Sequence, residues 1–322
     1  MIEFVNTGKS YGTARVIHDL NLTIEKGEFL VVIGPSGSGK STLLKMINRM
    51  EDHDAGKILL NGEEIYKFKL RDLRLRMGYA IQSVGLFPHW TVERNIATVP
   101  QMLGWSKEKI SQRVSELLEL FQLDAPEYRN RFPHELSGGQ QQRVGVARAL
   151  AADPEVLLMD EPFGALDPAT RGALQLELKR VHRASGKTIV LVTHDIDEAL
   201  LLATRIVLLD QGRIVQAASP LDLLATPAND FVLNFVGRND IGIKMLSLRQ
   251  LRGLARPEAA VEAPSLPQDT SLRELVSFMA ASGVTRVNVI DKQGGHAGVA
   301  YAADIFSLPS SNEAGFEKPT RK

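Results

Sequence analysis

Residues 34–41 have the types and spacing needed to bind phosphate groups. Their sequence, GPSGSGKS, matches a glycine-rich phosphate-binding loop placed between an apolar strand and a helix. Glycines let backbone N–H groups turn toward phosphate oxygens, and the N-terminus of the following helix adds a partial positive charge. A chance glycine turn would not have both neighbours. We therefore expect Lys40 to contact the β- and γ-phosphates of a nucleotide and Ser41 to ligate Mg²⁺.

Two carboxylates, Asp160 and Glu161, follow the apolar residues 156–159. Asp160 would hold Mg²⁺ directly or through water, and Glu161 would polarise an attacking water as a general base. Taken alone, the pair is explained about equally well as solvated acids at the end of a strand. The phosphate-binding loop elsewhere in the chain favours the catalytic interpretation.

A second site for an anion is predicted at residues 136–140, with the sequence LSGGQ. Ser137, Gly138 and Gly139 offer backbone N–H groups at the N-terminus of a helical segment. One nucleotide does not easily need two such sites from one chain. We therefore expect the second site to serve a nucleotide held by another copy.

Alternating strands and helices must position these motifs. The alternation favours an α/β fold with a mostly parallel sheet, in which the fully apolar segments are buried strands. Strands are predicted at residues 2–5, 20–24, 29–33, 156–159 and 188–192, and helices at 43–49 and 103–123.

The pattern changes near Gly237, which predicts a boundary between domains 1–237 and 238–308. The second domain begins with a basic helix-like stretch and a linker rich in Pro, Ala and Glu at 257–267. A helix at 272–281 and strands at 286–290 and 297–300 follow. The polar residues 309–322 are predicted to be a disordered tail.

The basic residues of the second domain allow two interpretations. Lys244, Arg249, Arg252 and Arg256 alternate with leucines and could contact an anionic membrane surface. A solvated helix face explains the same spacing and is the better interpretation.

Length and composition restrict the function classes. The 322 residues suggest about two domains, and equal numbers of basic and acidic residues, 38 each, disfavour a nucleic-acid binder. The absence of cysteine excludes disulfides, thiolate metal sites and a cysteine nucleophile. A helix that spans a membrane needs about 20 mostly apolar residues, and every apolar run in the sequence is much shorter. No signal peptide is visible. We therefore expect a chain in the cytoplasm.

The phosphate-binding loop and the LSGGQ run together resemble those of an ABC ATPase, over about residues 1–237. The resemblance implies a P-loop NTPase core with an antiparallel β subdomain and an α-helical subdomain. It also implies ATP and Mg²⁺ as cofactors. The nucleotide contacts that it implies are Tyr11, Gly34, Pro35, Ser36, Gly37, Ser38, Gly39, Lys40, Ser41, Thr42, Ser137, Gly138, Gly139, Gln140 and Asp167.

The resemblance also assigns roles to single residues. Tyr11 would stack on adenine, although it could be an ordinary tyrosine at a strand edge. Gln82 would sense Mg²⁺ and the attacking water, and His194 would contact the γ-phosphate. Asp167 would lie at a dimer seam, although alone it could be a helix N-cap. The implied catalytic residues are Glu161, His194 and Gln82, and the implied Mg²⁺ ligands are Ser41, Gln82 and Asp160.

Residues 81–97 resemble a segment of importer ATPases. Large apolar residues, Leu86, Phe87 and Trp90, occur there beside Pro88. A loop packed on the helical subdomain accounts for part of this pattern. The resemblance implies in addition that integral membrane permease subunits dock between Gln82 and Val92. Within importers, residues 81–89 and the distal tail are most similar to the osmoprotectant group (glycine betaine, choline, proline betaine).

The segments 269–275, 283–291 and 298–300 resemble a CBS motif. Such motifs normally occur in pairs, and the chain has room for about one. Tyr301 stands where the final pattern usually has threonine, although Asp304 is retained. A regulatory or dimerising role is therefore a safer expectation than nucleotide binding.

These resemblances together imply a transport ATPase. Two ATPase subunits, as a homodimer or a pair, would sandwich two ATP molecules at the cytoplasmic face of the inner membrane, as peripheral proteins. A periplasmic or extracellular solute-binding protein would complete the importer, and no nucleic acid is expected. The alternatives are a soluble ABC ATPase acting on ribosomes or DNA, a nucleotide sensor, or an importer of another small solute.

Overall fold

The computed structural model describes residues 1–81, 85–164 and 166–305. The chain divides into two compact units, Met1–Ala217 and the residues from Ala218 onward. Within the described residues, no helix combines the length and the apolar character that crossing a bilayer requires. The strands are β1 (Ile2–Tyr11), β2 (Ala14–Ile24), β3 (Phe29–Ile33), β4 (Ala55–Leu60), β5 (Glu63–Glu64), β6 (Met77–Ala80), β7 (Val156–Asp160), β8 (Thr188–Val192), β9 (Arg205–Asp210), β10 (Arg213–Ala218), β11 (Ser265–Pro267), β12 (Arg286–Ile290) and β13 (His296–Tyr301).

Helices connect most of these strands. They are α1 (Lys40–Ile47), α2 (Leu70–Leu75), α3 (Val92–Ile96), α4 (Thr98–Met102), α5 (Lys107–Leu120), α6 (Ala125–Tyr128), α7 (Gly138–Leu150), α8 (Pro168–Ser185), α9 (Ile196–Leu202), α10 (Pro220–Ala225), α11 (Asp230–Phe235), α12 (Ile241–Leu248) and α13 (Leu272–Ser282).

The central sheet of the first unit has the strand order β10-β9-β3-β8-β7-β6 among the described residues. The pairings from β9 through β3, β8 and β7 to β6 are all parallel. Every residue of β3 and β8 is buried, as continuous apolar strands covered on both faces require. The predicted mostly parallel α/β sheet is therefore present.

A second, antiparallel sheet has the order β2-β1-β4-β5. Its apolar side chains share one core with α1 and with the central sheet, where Ile2, Ile17, Leu43, Leu44 and Val192 are all inaccessible to solvent. The helix that follows the phosphate-binding loop is thus fixed by two sheets. This arrangement holds the start of α1 at the end of β3.

Several predicted boundaries in the first unit change. The strand predicted at 2–5 extends to Tyr11, because β1 pairs with β2 along most of its length. The helix predicted at 43–49 begins at Lys40, directly after the loop. The helix predicted at 103–123 is shorter, because the Ser106 hydroxyl caps α5 by accepting a hydrogen bond from the Lys109 N–H.

The second unit contains a three-stranded sheet with the order β11-β12-β13. β11 is parallel to β12, and β13 is antiparallel to β12. α13 packs on this sheet and contributes the buried Leu272, Leu275 and Met279 to a core that also holds Val287 and Val289. The helix and two strands predicted here are present.

Residues 257–267 are more than a linker. Their last three residues form β11, and the buried Asn288 side chain fixes the preceding segment. Its amide nitrogen donates to the carbonyls of Val261 and Ala263 at 2.8 and 2.9 Å, and its oxygen accepts from the Val261 N–H at 3.0 Å. The basic stretch is not one helix, because α12 ends at Leu248 and a 3₁₀ turn follows at Leu251–Gly253.

The two units divide before Gly237, the boundary expected from the sequence. α10 packs against α12 and is therefore grouped with the second unit. The proposed extents of an ATPase domain to residue 237 and of a further domain to 308 stay predictions. The tail predicted at 309–322 lies outside the described residues.

Candidate functional site

The phosphate-binding loop connects β3 to α1 and depends on glycine at its first residue. Gly34 has φ +149°, and a Cβ at this position would lie 2.0 Å from the backbone oxygen of Leu209. Only glycine can adopt this backbone without strain and allow β9 to approach so closely. The loop is thereby held at the carboxyl ends of β3 and β9 in the central sheet.

Two buried polar side chains in this loop indicate an anion. The Lys40 ammonium donates to the carbonyl oxygens of Gly34 and Pro35 at 2.9 and 2.8 Å. Burial lowers the pKa of Lys40, while the nearby charges of Glu161 and Asp160 raise it. The buried Ser38 Oγ has no hydrogen-bond partner among the described residues. A buried hydroxyl without a partner is costly, and a phosphate oxygen would supply one.

Ser41 and Asp160 join the loop to the end of β7. The Ser41 Oγ donates a hydrogen bond of 2.9 Å to Asp160 Oδ1. Burial raises the pKa of Asp160, partly offset by the Ser41 hydrogen bond and the charges of Lys45 and Lys40. Mg²⁺ is commonly held by one or two carboxylates together with substrate phosphates and water. A hydroxyl and a carboxylate beside a phosphate site fit that ion.

Glu161 and His194 meet at the carboxyl ends of neighbouring strands. The His194 Nδ1 lies 3.4 Å from Glu161 Oε1, and the Glu161 N–H donates to the Val192 carbonyl at 2.9 Å. Glu161 has φ +45°, a strained backbone for a residue with a Cβ. Its carboxylate is therefore aimed by its own backbone turn. The His194 side chain is 65% exposed and accessible to a ligand.

Ser137 and Gln140 form a capping box at the start of α7. The Ser137 Oγ accepts from the Gln140 N–H at 3.3 Å, and Gln140 Oε1 accepts from the Ser137 N–H at 2.9 Å. The Gln140 amide also donates to the Tyr128 hydroxyl at 3.0 Å. Ser137 and Gly138 are exposed. The turn is thus rigid and open to solvent, as an anion site on an outer surface requires.

Asp167 caps α8, as one of its two sequence interpretations predicts. Its Oδ1 accepts a hydrogen bond of 3.1 Å from the Thr170 N–H. Hydrogen bonding from the Thr170 side chain, followed by that from its backbone N–H, lowers the pKa of Asp167. Asp167 is also exposed. The capping role leaves its other face accessible.

The sequence-predicted residues fall into three groups. The described contacts bring Lys40, Ser41, Asp160, Glu161 and His194 together. They do not bring Tyr11 into that group. Tyr11 is exposed at the end of β1, and the Lys9 ammonium lies 5.2 Å from its ring centre. Nor do the described contacts bring in the residues from Ser137 to Gln140. Gln82 lies outside the described residues.

A hydrogen-bond network beside His194 was missed in the sequence. The Thr193 Oγ1 donates to the buried Glu198 Oε2 at 2.7 Å, and the Thr193 N–H donates to Val32 on β3 at 3.1 Å. Burial raises the pKa of Glu198. A glutamate among the apolar residues of α9 was the signal that could have revealed this network, because buried carboxylates need partners.

A separate cleft of about 540 Å³ lies in the first unit. Its apolar lining includes Met50, Leu75, Met77, Phe87, Val99 and Met102, and its arginines are Arg71, Arg74 and Arg148. The loop that carries Phe87 is fixed by the buried Asn95, whose side chain accepts from the Phe87 N–H at 2.8 Å and donates to the Trp90 carbonyl at 3.1 Å. Phe87, Met50 and Met102 remain well exposed. The Asn95 contacts agree with the packed-loop interpretation, and the docking interpretation stays a prediction.

Comparisons with known proteins agree with these features. A family profile described as ABC transporter matches residues 17–164. The chain is 54% identical to the glycine betaine uptake system ATP-binding protein YehX of Escherichia coli K12, over 95% of this chain and 99% of the relative. It is 45% identical to the glycine betaine/carnitine/choline transport ATP-binding protein OpuCA of Bacillus subtilis 168, over 91% and 76% of the two chains.

A solved structure extends the comparison to three dimensions. The chain is similar to the dimeric post-hydrolysis state of the ATP-binding cassette MJ0796 bound to ADP and Pi, with a TM-score of 0.62 and 33% identity. The match covers 68% of this chain and 99% of that chain.

The close contact between α7 and α8 gives a testable prediction. A Cβ at Gly139 would lie 2.1 Å from the Thr170 Cγ2, whereas a Cβ at Gly138 would meet nothing within 4 Å. We expect Gly139→Ala to lower the free energy of unfolding by about 1–3 kcal/mol, measured by urea denaturation. Gly138→Ala, the matched control, should change it by less than about 0.5 kcal/mol.

A second substitution tests the cause of that loss. Thr170→Ser removes the clashing methyl group, so the double variant Gly139→Ala/Thr170→Ser should recover most of the stability. Equal stability of the Gly139→Ala and Gly138→Ala proteins would contradict the steric explanation.

Proposed function

The chain belongs to the ABC transporter ATPase family and is the ATP-hydrolysing subunit of an importer, and from this premise we propose that it drives uptake of a quaternary-amine osmoprotectant. Glycine betaine is the solute that we expect first. The observation that carries this proposal is the 54% identity to a glycine betaine uptake ATPase along nearly the whole of both chains. The second relative, for glycine betaine, carnitine and choline, supports the same solute class.

We propose that the nucleotide phosphates bind in the loop from Gly34 to Thr42. The partnerless Ser38 hydroxyl and the buried Lys40 ammonium support this site. The ammonium would exchange its present carbonyl acceptors for phosphate oxygens. The other loop members are Pro35, Ser36, Gly37, Gly39 and Ser41, and Tyr11 would stack on the adenine.

The same site fits Mg²⁺. Ser41 and Asp160 would hold the ion, and Gln82 is assigned to it by the sequence alone. When bound, Mg²⁺ neutralises charge on the β- and γ-phosphates. The raised pKa of Asp160 supports the assignment, because burial disfavours its anion and a bound metal ion would favour it.

Glu161 and His194 are the proposed hydrolytic pair. Glu161 would accept a proton from the attacking water, and His194 would contact the γ-phosphate and orient the carboxylate beside it. Their separation of 3.4 Å and the strained backbone of Glu161 support the pairing, since both restrict where the carboxylate can point. Gln82 would complete the group around the water.

We propose a head-to-tail homodimer that holds two ATP molecules. Each nucleotide would lie between the phosphate-binding loop of one subunit and Ser137, Gly138, Gly139 and Gln140 of the other, with Asp167 at the seam. The exposure of Ser137 and Gly138, in a turn already satisfied by its own capping box, supports an external ligand. The dimeric form of the MJ0796 cassette is consistent with this arrangement.

The cleft around Phe87 is the proposed docking site for membrane permease subunits. Its apolar lining and its three arginines fit a short helix with apolar side chains and a carboxylate. The chain would then lie peripherally at the cytoplasmic face of the inner membrane. A periplasmic or extracellular solute-binding protein would select the solute outside.

The second unit is proposed to be a single, degenerate CBS-like domain with a regulatory or dimerising role. Its sheet and helix have the order expected from the sequence. Asp304, the retained member of the motif, accepts two hydrogen bonds from Arg256 at 2.6 and 2.9 Å. The Tyr301 hydroxyl donates to Glu258 at 2.7 Å. Because Asp304 and Tyr301 are already hydrogen-bonded to side chains of the protein itself, nucleotide binding there is not proposed.

Substitution of the proposed base tests the hydrolytic assignment. Glu161→Gln keeps the shape of the side chain but cannot accept the proton. We expect it to bind ATP, to lower the rate of phosphate release by about 10²- to 10⁴-fold, and to accumulate an ATP-bound dimer in size-exclusion chromatography with light scattering. Glu155→Gln, the same change on an exposed acid before β7, is the control. Near-normal hydrolysis by Glu161→Gln would rule out Glu161 as the base.

A charge placed in the cleft tests the docking site. Met102 is 59% exposed and lines the cleft, whereas Leu176 on α8 is 57% exposed and does not. Met102→Glu should lower co-purification with the permease subunits by about tenfold or more, because its carboxylate would bind the cleft's arginines in place of the partner's carboxylate and would make the apolar lining polar. It should leave the ATPase rate of the isolated chain unchanged. Leu176→Glu should retain the complex. Loss of the complex in both variants, or in neither, would contradict the assignment.

Reconstituted transport tests the solute. The complete complex in proteoliposomes should accumulate radiolabelled glycine betaine when ATP is enclosed on the side of the ATPase, and should not accumulate radiolabelled sulfate. The Glu161→Gln complex should accumulate neither. Transport of sulfate without glycine betaine would refute the proposed solute and leave the ATPase assignment intact.

A further inference from the structure

The first turn of α8 contacts three segments to which the proposed function assigns nucleotide contacts. Thr170 packs so closely on Gly139 that no Cβ fits between them. The backbone N–H of Arg171 donates to the Asp167 carbonyl at 2.9 Å. The Arg171 side chain reaches away from α8 toward Asp195, next to His194. One helical turn thus touches the LSGGQ helix, the turn before α8 and the turn after β8.

The Arg171 guanidinium spans two of these turns with separate nitrogen atoms. One terminal nitrogen, Nη2, donates to the Leu166 carbonyl at 3.3 Å. The other, Nη1, lies 3.6 Å from Asp195 Oδ2. Both side chains of this ion pair are about one-third exposed. The planar, forked guanidinium allows both contacts at once, which a lysine ammonium would not reproduce.

Asp195 holds the turn that carries His194. Its Oδ1 accepts from the N–H groups of Asp197 and Glu198 at 2.8 and 3.2 Å and thereby caps α9. Its own N–H donates to the Thr193 Oγ1 at 3.1 Å. Because Oδ1 makes the cap, Oδ2 is the atom that faces Arg171. The His194 backbone is therefore fixed between two residues that share a hydrogen-bond network.

We infer that Arg171 is a positioning residue that links the turn at Leu166 and Asp167 to the turn at His194. The inference rests on the proposed function. In the proposed dimer, Gly139 serves the partner's nucleotide and His194 serves the chain's own nucleotide. A displacement of α8 when one site closes would then move Asp195 and His194 at the other site. Arg171 would act through His194 and would not touch the nucleotide.

A double-mutant cycle in the full-length chain tests this link. Asp195→Asn keeps an N-cap, because the Asn oxygen still accepts from backbone N–H groups, but removes the charge facing Arg171. Arg171→Met removes both side-chain contacts and keeps the apolar stem. We expect each variant to lower kcat for ATP by about fivefold and to lower the Hill coefficient toward unity. The KM for ATP should change by less than about twofold.

The double variant and the conservative variant separate linkage from simple damage. Arg171→Met/Asp195→Asn should be no slower than the slower single variant, because both substitutions break one link. Arg171→Lys should recover part of kcat through its charge. Glu155→Gln is the control, since it breaks the Arg76–Glu155 pair, whose separation of 3.5 Å is similar, far from these turns. It should leave kcat and the Hill coefficient unchanged.

Two results would overturn the inference. One is a double variant whose loss equals the product of the single losses, and the other is a Hill coefficient that Asp195→Asn does not change. If Arg171→Met fails to fold, Asp195→Asn and Arg171→Lys still decide the question. A wild-type chain without ATPase activity would refute the proposed function itself. An active chain that loses turnover with Glu161→Gln and shows independent effects at Arg171 and Asp195 would refute only the linkage.

Discussion

The register of three parallel strands is the constraint on which the candidate site depends. Val32 pairs with Val192, and Asp160 also pairs with Val192, so β3, β7 and β8 end at the same level of the sheet. Ligands of open parallel sheets bind outside these carboxyl ends. The phosphate-binding loop follows β3, Asp160 and Glu161 lie at the end of β7, and His194 lies just after β8. Residues far apart in the chain are therefore assembled by backbone hydrogen bonds within one sheet.

Buried charged groups lie together at these carboxyl ends, and opposite charges there partly offset the cost of burying one another. Burial lowers the pKa of Lys40 and raises that of Asp160, while each charge favours the ionised form of the other. The compensation is partial, since the Ser38 hydroxyl still lacks a partner among the described residues. A phosphate and a divalent cation would complete it. The site is thus prepared electrostatically for the ligand that the family binds.

Local pattern predicts the parts of this molecule whose burial is continuous along the chain. The bounds of β3 and β8 agree with the sequence because their apolar runs end at turns. β11 could not be predicted, because its Ser, Leu and Pro have no strand pattern of their own and pair only with the distant β12. Likewise, Lys40 and Glu161 belong to recognisable motifs, whereas Arg171 acquires a role only when folding brings Asp195 beside it.

The residues that cap three helices stabilise the same turns that carry proposed functional residues. Ser137, Asp167 and Asp195 each begin a helix, and each accepts backbone hydrogen bonds from its own first turn. Capping orders the turn that precedes a helix. The turn before α7 carries proposed anion contacts, and the turn before α9 carries His194. The two interpretations of Asp167, as a cap and as a residue of the dimer seam, are therefore compatible. A side chain that satisfies its own helix with one oxygen still presents the other to a neighbour, as Asp195 does toward Arg171.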